Sequence, residues 1–424
     1  MNILVVNGYV RENKGDAVLM SVLCRELQKT FPKATVKISS QEDPRHEPTF
    51  EDWQNVCSFN RYCFDPATGK GSHLLRLIVC SAIITALPYV PPGFRKMAVR
   101  LSPKMLRAEL SALTRADLVV AMGGGYLNGN TSLMAQVAVY LMLAPLELAK
   151  RFGACAVFAP ESMGPFATKF QQKLVIRTLE KADLVLTRED KTVKLLAKLS
   201  KRFPVVPSVD SGFLFTSDES VDLRAQLHVP AKDLLIGVTV RRWLDPQRQY
   251  AYERAVARTI DHLTENHHAT VVFIPQVTSA LGGDDDRITA NRVYKRLRHK
   301  TGVHVLDEQY THQQVKSLYD TLDLIIGTRF HSVILSLTSH VPALAIEYEH
   351  KTSGIMHDLA LDKWVVKIED ATAEVLTSKI NELIASKPQY KEHLKKVLPP
   401  YIAKAQEAIT LIKQAYEARV GSSD

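Results

Sequence analysis

The hexapeptide GTRFHS (327–332) sets Arg329 and His331 two residues apart, directly after the apolar run DLIIGT (323–328). A guanidinium that never deprotonates beside an imidazole that titrates near neutrality suits an anionic substrate on which a proton must be moved. A lone histidine is as often structural, and the place of His331 at a strand end is what makes it a candidate. Further on, AIEYEHK (345–351) offers Lys351, a point charge for a phosphate or, on a plain loop, a solvated lysine.

Three other turns follow apolar runs in the same way. NGYVRENKGDAVL (7–19) carries Gly15 and Asp16 at the start of a helical pattern, where free N–H groups face an anion and Asp16 reads equally as an ordinary first-turn residue. MGGGYLNGN (122–130) places Gly123, Gly124 and Gly125 side by side, a flexible loop with exposed amides for a phosphate, carboxylate or sugar ring, or else a tight turn. APESMGPF (159–166) and TRED (187–190) bring Glu161 and Arg188 toward the same edge, with Arg188 also readable as half of an ion pair. The acidic run GGDDDR (282–287) has carboxylates of the kind Mg2+ uses, but Asp286 before a helical stretch is simpler as capping chemistry, and no metal is expected.

These turns need a scaffold, and the chain supplies it. Short runs rich in β-branched residues, at 2–7, 35–39, 117–122, 155–160, 183–187, 205–210, 234–240, 269–276, 303–307, 323–328, 341–346 and 364–368, alternate with stretches of helical period. That is the pattern of parallel strands covered on both faces by helices, an α/β fold. The phrases TRADLVVAMGGG, EKADLVLTRED and DTLDLIIGTRFHS repeat one build, an acidic residue, four apolar residues and a functional turn. The expected organisation is two doubly wound Rossmann-like domains facing a cleft, 1–215 and 234–424, joined by a polar linker at 216–233, with a C-terminal helix returning to the first domain.

The 424 residues carry 54 Lys+Arg against 45 Asp+Glu, a net charge of +9, and 46% hydrophobic residues. This excludes disordered, collagenous and disulfide-scaffold classes, and without a basic block interleaved with aromatics it argues against a nucleic-acid partner. Cys24, Cys57, Cys63, Cys80 and Cys155 show no zinc spacing. The N-terminus MNILVVNGYV opens on a strand rather than a leader, so cytoplasmic residence is the expectation. The segment Leu74 to Val90 has an apolar stretch, Leu77–Leu87, too short to span a bilayer, followed by Arg95, Lys96, Arg100, Lys104 and Arg107. A buried helix is the simpler reading, and a peripheral helix on anionic lipid is the other.

Taken together, NKGDAVL, DLVVAMGGGYL, ESMGP, DLVLTRED, GVTVR (237–241), PQ with its DDD cluster, and DLIIGTRFHS with AIEYEHKTSGIM resemble the polysaccharide pyruvyl transferase family over residues 1–361. The resemblance implies a GT-B-like fold and transfer of pyruvate from phosphoenolpyruvate to two sugar hydroxyls as a ketal, with no cofactor. It implies His331 in catalysis and Lys351 in donor binding, to which the site chemistry adds Arg329 for the donor and Asp16 for the acceptor hydroxyl. The acceptor would be a sugar or glycan, in this family often lipid-linked. EYEHK departs from the family's usual Asp-Pro before the lysine. Two other classes share this architecture, a GT-B glycosyltransferase using a nucleotide sugar and a non-catalytic glycan-binding paralogue.

Overall fold

The computed structural model describes residues 1–421 apart from 129–130, 201, 204 and 280–284. It divides into two α/β units, one formed by 1–10, 19–211 and 404–424, the other by 11–18 and 212–403.

In the first unit β1 (Asn2–Gly8), β2 (Thr35–Ser40), β3 (Thr49–Phe50), β4 (Trp53–Cys57), β5 (Leu118–Ala121), β6 (Gly124–Leu127), β7 (Cys155–Met163), β8 (Leu184–Thr187) and β9 (Val205–Pro207) form one sheet. Its order is β3-β4-β2-β1-β5-β7-β8-β9, with β6 paired to β7 and only β3 antiparallel to its neighbour. The second unit has β10 (Leu235–Thr239), β11 (Thr270–Phe273), β12 (Val303–Val305), β13 (Leu324–Gly327), β14 (Ala343–Glu347) and β15 (Val365–Lys367), in the order β12-β11-β10-β13-β14-β15 and parallel throughout. In both sheets the first strand of the unit lies centrally, and the winding reverses beside it, between β1 and β5 and between β10 and β13. Ligands of open α/β sheets bind at the carboxyl ends of strands at such a switch point.

Every expected strand is present. The central strands are buried on both faces, as in β5 and β13, where every residue is buried, while β9, β12 and β15 are partly exposed. Each apolar side chain so covered stabilises the fold by about 1.5–3 kcal/mol.

The domain boundaries differ from those expected. The polar stretch 216–233 is part of the second unit, because Leu223 is buried and Arg224 reaches Asp323 at 2.5 Å and the carbonyls of Pro230 and Asp233. Residues 11–18 also belong to the second unit. The helix Lys387–Gly421 runs through Pro399 and Pro400, and its residues from 404 belong to the first unit, where Tyr416 packs edge-on to Phe31.

The apolar segment near residue 80 is also longer and less covered than its sequence suggests. Helical backbone spans Gly71–Tyr89, long and apolar enough by length and composition alone to cross a membrane, yet only 17% of its most apolar window is buried. The buried-helix reading holds for one face only, which carries Cys80, Ile84 and Leu87 into the core.

Candidate functional site

In the second unit the turn after β13 is pinned by the last residue of β10. Thr239 Oγ1 accepts the backbone N–H groups of Thr328 at 3.0 Å and Arg329 at 3.2 Å, and lies 2.8 Å from Ser332 Oγ. This fixes where the helix Phe330–Thr338 begins, with Arg329 as its N-cap residue and His331 in its first turn.

Arg329 has a different place from the one expected. Its Nε lies 3.0 and 3.1 Å from the two carboxylate oxygens of Asp286, and Nη2 lies 2.5 Å from Oδ1, with both residues buried. Asp286 Oδ2 also accepts from the backbone of Gln276 and Val277, each at 3.0 Å. Arg329 is therefore a tie between the GTRFHS turn and the PQ turn, and its charge is largely spent on a protein carboxylate. Asp285 caps the helix Asp286–Lys295 by accepting the N–H of Arg287 at 2.9 Å, the capping chemistry expected of the acidic run, while Asp284 lies outside the described residues.

The PQ turn in turn holds the NKGD loop. Lys14 N–H donates to the Gln276 carbonyl at 2.9 Å, Thr278 N–H to the Glu12 carbonyl at 3.0 Å, and Asn13 bridges Val277 in antiparallel fashion. The helix Lys14–Thr30 consequently starts against His331. A Cβ built on Gly15 would lie 2.1 Å from His331 Nδ1 and 2.7 Å from Cγ, so only glycine leaves room for the ring. Asp16 sits in the same first turn, where Asn13 Nδ2 donates to its Oδ2 at 2.7 Å.

Lys351 opens a third helix, Lys351–Asp358. Its Nζ lies 2.8 Å from Glu349 Oε2 and stands over the rings of Phe330 at 5.4 Å and Tyr348 at 5.6 Å. Phe330 touches His331 edge-on, so Lys351 and His331 share a neighbour. Arg241, just past the GVTV strand, also stands over Tyr348; its guanidinium lies 4.1 Å from the Tyr348 ring centroid and 4.7 Å from that of Trp243. The signal for Arg241 was its position just past the end of a central strand.

Three helix N-termini, at Lys14, Phe330 and Lys351, thus meet around His331, Lys351 and the Gly15 backbone. Each presents first-turn amides and the positive end of a helix dipole. Buried Gln276 Oε1, Thr278 Oγ1 and Thr352 Oγ1 have no hydrogen-bond partner among the described residues and add polar groups to the same elements. The arrangement can hold an anion with more than one charged group and place an imidazole beside it.

In the first unit the glycine triplet is not the open loop expected. Gly124 and its successors form β6, with Gly124 paired to Glu161 of β7. Gly123 has no space for a side chain, since a Cβ there would lie 2.3 Å from the Pro160 carbonyl oxygen, and Gly124 has φ of 144°, a conformation that favours glycine. Gly125 is close to Arg188, whose Nη2 would lie 3.2 Å from an added Cβ. Glu161 is buried and accepts the N–H of Tyr126 at 3.2 Å. Arg188 is buried too, donating to Asp210 at 2.6 Å and Ser162 Oγ at 2.7 Å. Burial works against its charge, but the Asp210 and Glu161 carboxylates outweigh that and raise its pKa. Gly123, Gly124 and Gly125 thus gather with the buried side chains of Glu161 and Arg188 past the end of β5 and along β7 and β8 of the first sheet.

The five cysteines are free and buried, and burial pushes the Cys155 thiol up to about 12. Among the described residues no three His, Cys, Asp or Glu side chains gather as metal ligands would.

The chain is 24% identical over 319 residues to the amylovoran biosynthesis protein AmsJ of Erwinia amylovora, covering 69% of this chain and 70% of that one. Among solved structures it resembles the UDP-GlcNAc 2-epimerase of Neisseria meningitidis, with a TM-score of 0.60 at 14% identity over 97% of this chain and 100% of that one. It also resembles the sucrose-phosphate synthase of Thermosynechococcus elongatus, with a TM-score of 0.60 at 12% identity over 100% of both chains. At such identities the likeness concerns the fold, which is GT-B-like. The profile of the polysaccharide pyruvyl transferase family matches residues 13–350, and the chain belongs to that family.

Proposed function

We infer that the protein moves the pyruvyl group of phosphoenolpyruvate onto two hydroxyls of a sugar in a polysaccharide precursor, forming a cyclic ketal and releasing phosphate. The observation that carries the reading is the meeting of three helix N-termini with Lys351 and His331, held by the fit of Gly15 against the His331 ring. Phosphoenolpyruvate bears a phosphate and a carboxylate, and this set offers amides, helix dipoles, Lys351 and Arg241 to both.

The chemistry needs a proton delivered to the methylene carbon. His331 donates it as the double bond opens, the neighbouring carbon becomes electrophilic, and a sugar hydroxyl adds there while its proton passes to a base, the role assigned to Asp16. The second hydroxyl then forms its bond to the same carbon as the bond from that carbon to the phosphate oxygen breaks; its proton passes to the His331 imidazole left neutral by the first transfer, and the phosphate leaves with the electron pair. Amides aimed at the phosphate stabilise that departure. A thermal unfolding assay tests the donor: phosphoenolpyruvate should raise the midpoint and UDP-sugars should not. Protection by nucleotide sugars alone would favour glycosyl transfer instead.

A further inference from the structure

We propose that the surface of the helices Lys70–Ala86 and Pro92–Leu101 is a docking face for an anionic lipid bilayer, on which the first unit lies without crossing it.

The exposed side of the first helix is mostly apolar, with Thr85 the exposed polar residue near its end. Leu74 (64% exposed), Leu75 and Ile78 (58%) continue through exposed Ala82 to Tyr89 (76%) in the turn that follows. The second helix repeats this with Phe94, Met97 and Leu101 (79%), spaced three and four residues apart so that they share one face. The two faces are joined where the helix Leu133–Phe152 ends, because Tyr89 stacks on Arg151 at 5.7 Å and Arg95 on Phe152 at 5.0 Å. Isolated exposed leucines need no explanation, but a contiguous row of this kind does.

Charge selects the occupant. From residue 66 to residue 108 the chain has seven Lys and Arg residues and no Asp or Glu. Lys96, Arg100, Lys104 and Arg107 are exposed among the apolar side chains. Large apolar groups flanked by cations are the composition of an interfacial helix on anionic headgroups, whereas a protein partner would have to supply an equally one-signed acidic surface. A groove of about 250 Å3 beside Tyr89, lined by Ile84, Thr85 and Leu174 together with Arg151, Arg177 and Glu147, has an apolar wall and two guanidinium groups to receive a lipid phosphate, while the Glu147 carboxylate is paired with Lys181. Crossing is disfavoured by the opposite side of the same helix, where Cys80, Ile84 and Leu87 are buried in the core cluster of the first unit. A transmembrane placement would tear those contacts out.

The test is co-sedimentation of the full chain with vesicles of phosphatidylglycerol and, separately, of phosphatidylcholine. Two triple variants accompany it, Phe94→Ser with Met97→Ser and Leu101→Ser, and Lys96→Glu with Arg100→Glu and Lys104→Glu. All six side chains are exposed, so both variants should melt with the wild type. The wild type should bind phosphatidylglycerol in preference to phosphatidylcholine, and each triple variant should weaken that partitioning by about tenfold or more. Added salt should weaken it as well. Absence of wild-type binding to either vesicle, or binding that both variants retain, overturns the proposal. Self-association that the serine variant abolishes, without vesicle binding, overturns it in favour of a second copy of the chain as the occupant.

Discussion

Gly15→Ala isolates the role of His331 without touching the imidazole. The new Cβ would fall 2.1 Å from Nδ1, 2.7 Å from Cγ and 3.0 Å from Cε1. Ordinary contacts sit near 3.5 Å, so the ring must withdraw by about 1.4 Å, and Cγ lies too close to the backbone for a small torsion to absorb this. A displacement of about 1 Å at a reacting group costs on the order of a hundredfold in rate, or about 2.7 kcal/mol in activation free energy. The fold should tolerate the change, because Gly15 lies in the first turn of the helix Lys14–Thr30 and alanine is the better helix former by up to about 1 kcal/mol. The assay is steady-state turnover together with the thermal unfolding midpoint. The expected result is a kcat about a hundredfold lower with a midpoint within a few degrees of wild type, and no further loss when Gly15→Ala is added to His331→Ala. Wild-type turnover by Gly15→Ala, or an additive loss in the double variant, would refute the coupling.

Arg329→Ala and Asp286→Ala should each destabilise the chain by about 3–5 kcal/mol, since either leaves a buried charge without its partner, and chemical denaturation measures it. Lys351→Ala and Arg241→Ala should weaken phosphoenolpyruvate binding by about ten- to a hundredfold each, the worth of a charge-assisted contact, with midpoints little changed; calorimetry that finds unaltered affinity in both would remove them from the donor site. Glu109 is buried with Ser39 Oγ donating to it at 2.6 Å, and burial, opposed by the Ser39 and Phe59 hydrogen bonds, lifts its carboxyl to about 8. Because the folded state keeps this proton while the unfolded state loses it, stability should decline between about pH 4.5 and 8. Glu109→Gln should flatten that decline in urea titrations at several pH values, and an unchanged slope would contradict the assignment.

The strands were readable because parallel strands buried on both faces are written as continuous β-branched runs, which is why DLIIGT and DLVVAM stand out. WQNVC (53–57) escaped because Gln54 and Asn55 interrupt the run, and β6 escaped because glycines carry no strand signal. The positions of His331 and Gly15 were legible one at a time, but their fit depends on the hydrogen bond from Lys14 to Gln276, and no local pattern encodes it. For the same reason Arg329 looked like a substrate cation: its partner Asp286 is distant in sequence and was read only as a capping residue. The apolar helix near residue 80 was read as buried because composition alone does not tell which face meets the core.

Acceptor-dependent phosphate release from phosphoenolpyruvate is the most direct measurement of the proposed transfer. Purified protein incubated with phosphoenolpyruvate and a panel of sugars and lipid-linked glycans should release phosphate only when a suitable acceptor is present, in equal amount with acid-labile pyruvate bound to that acceptor. His331→Ala should abolish both signals. Consumption of a nucleotide sugar without any phosphoenolpyruvate-derived phosphate would contradict the account.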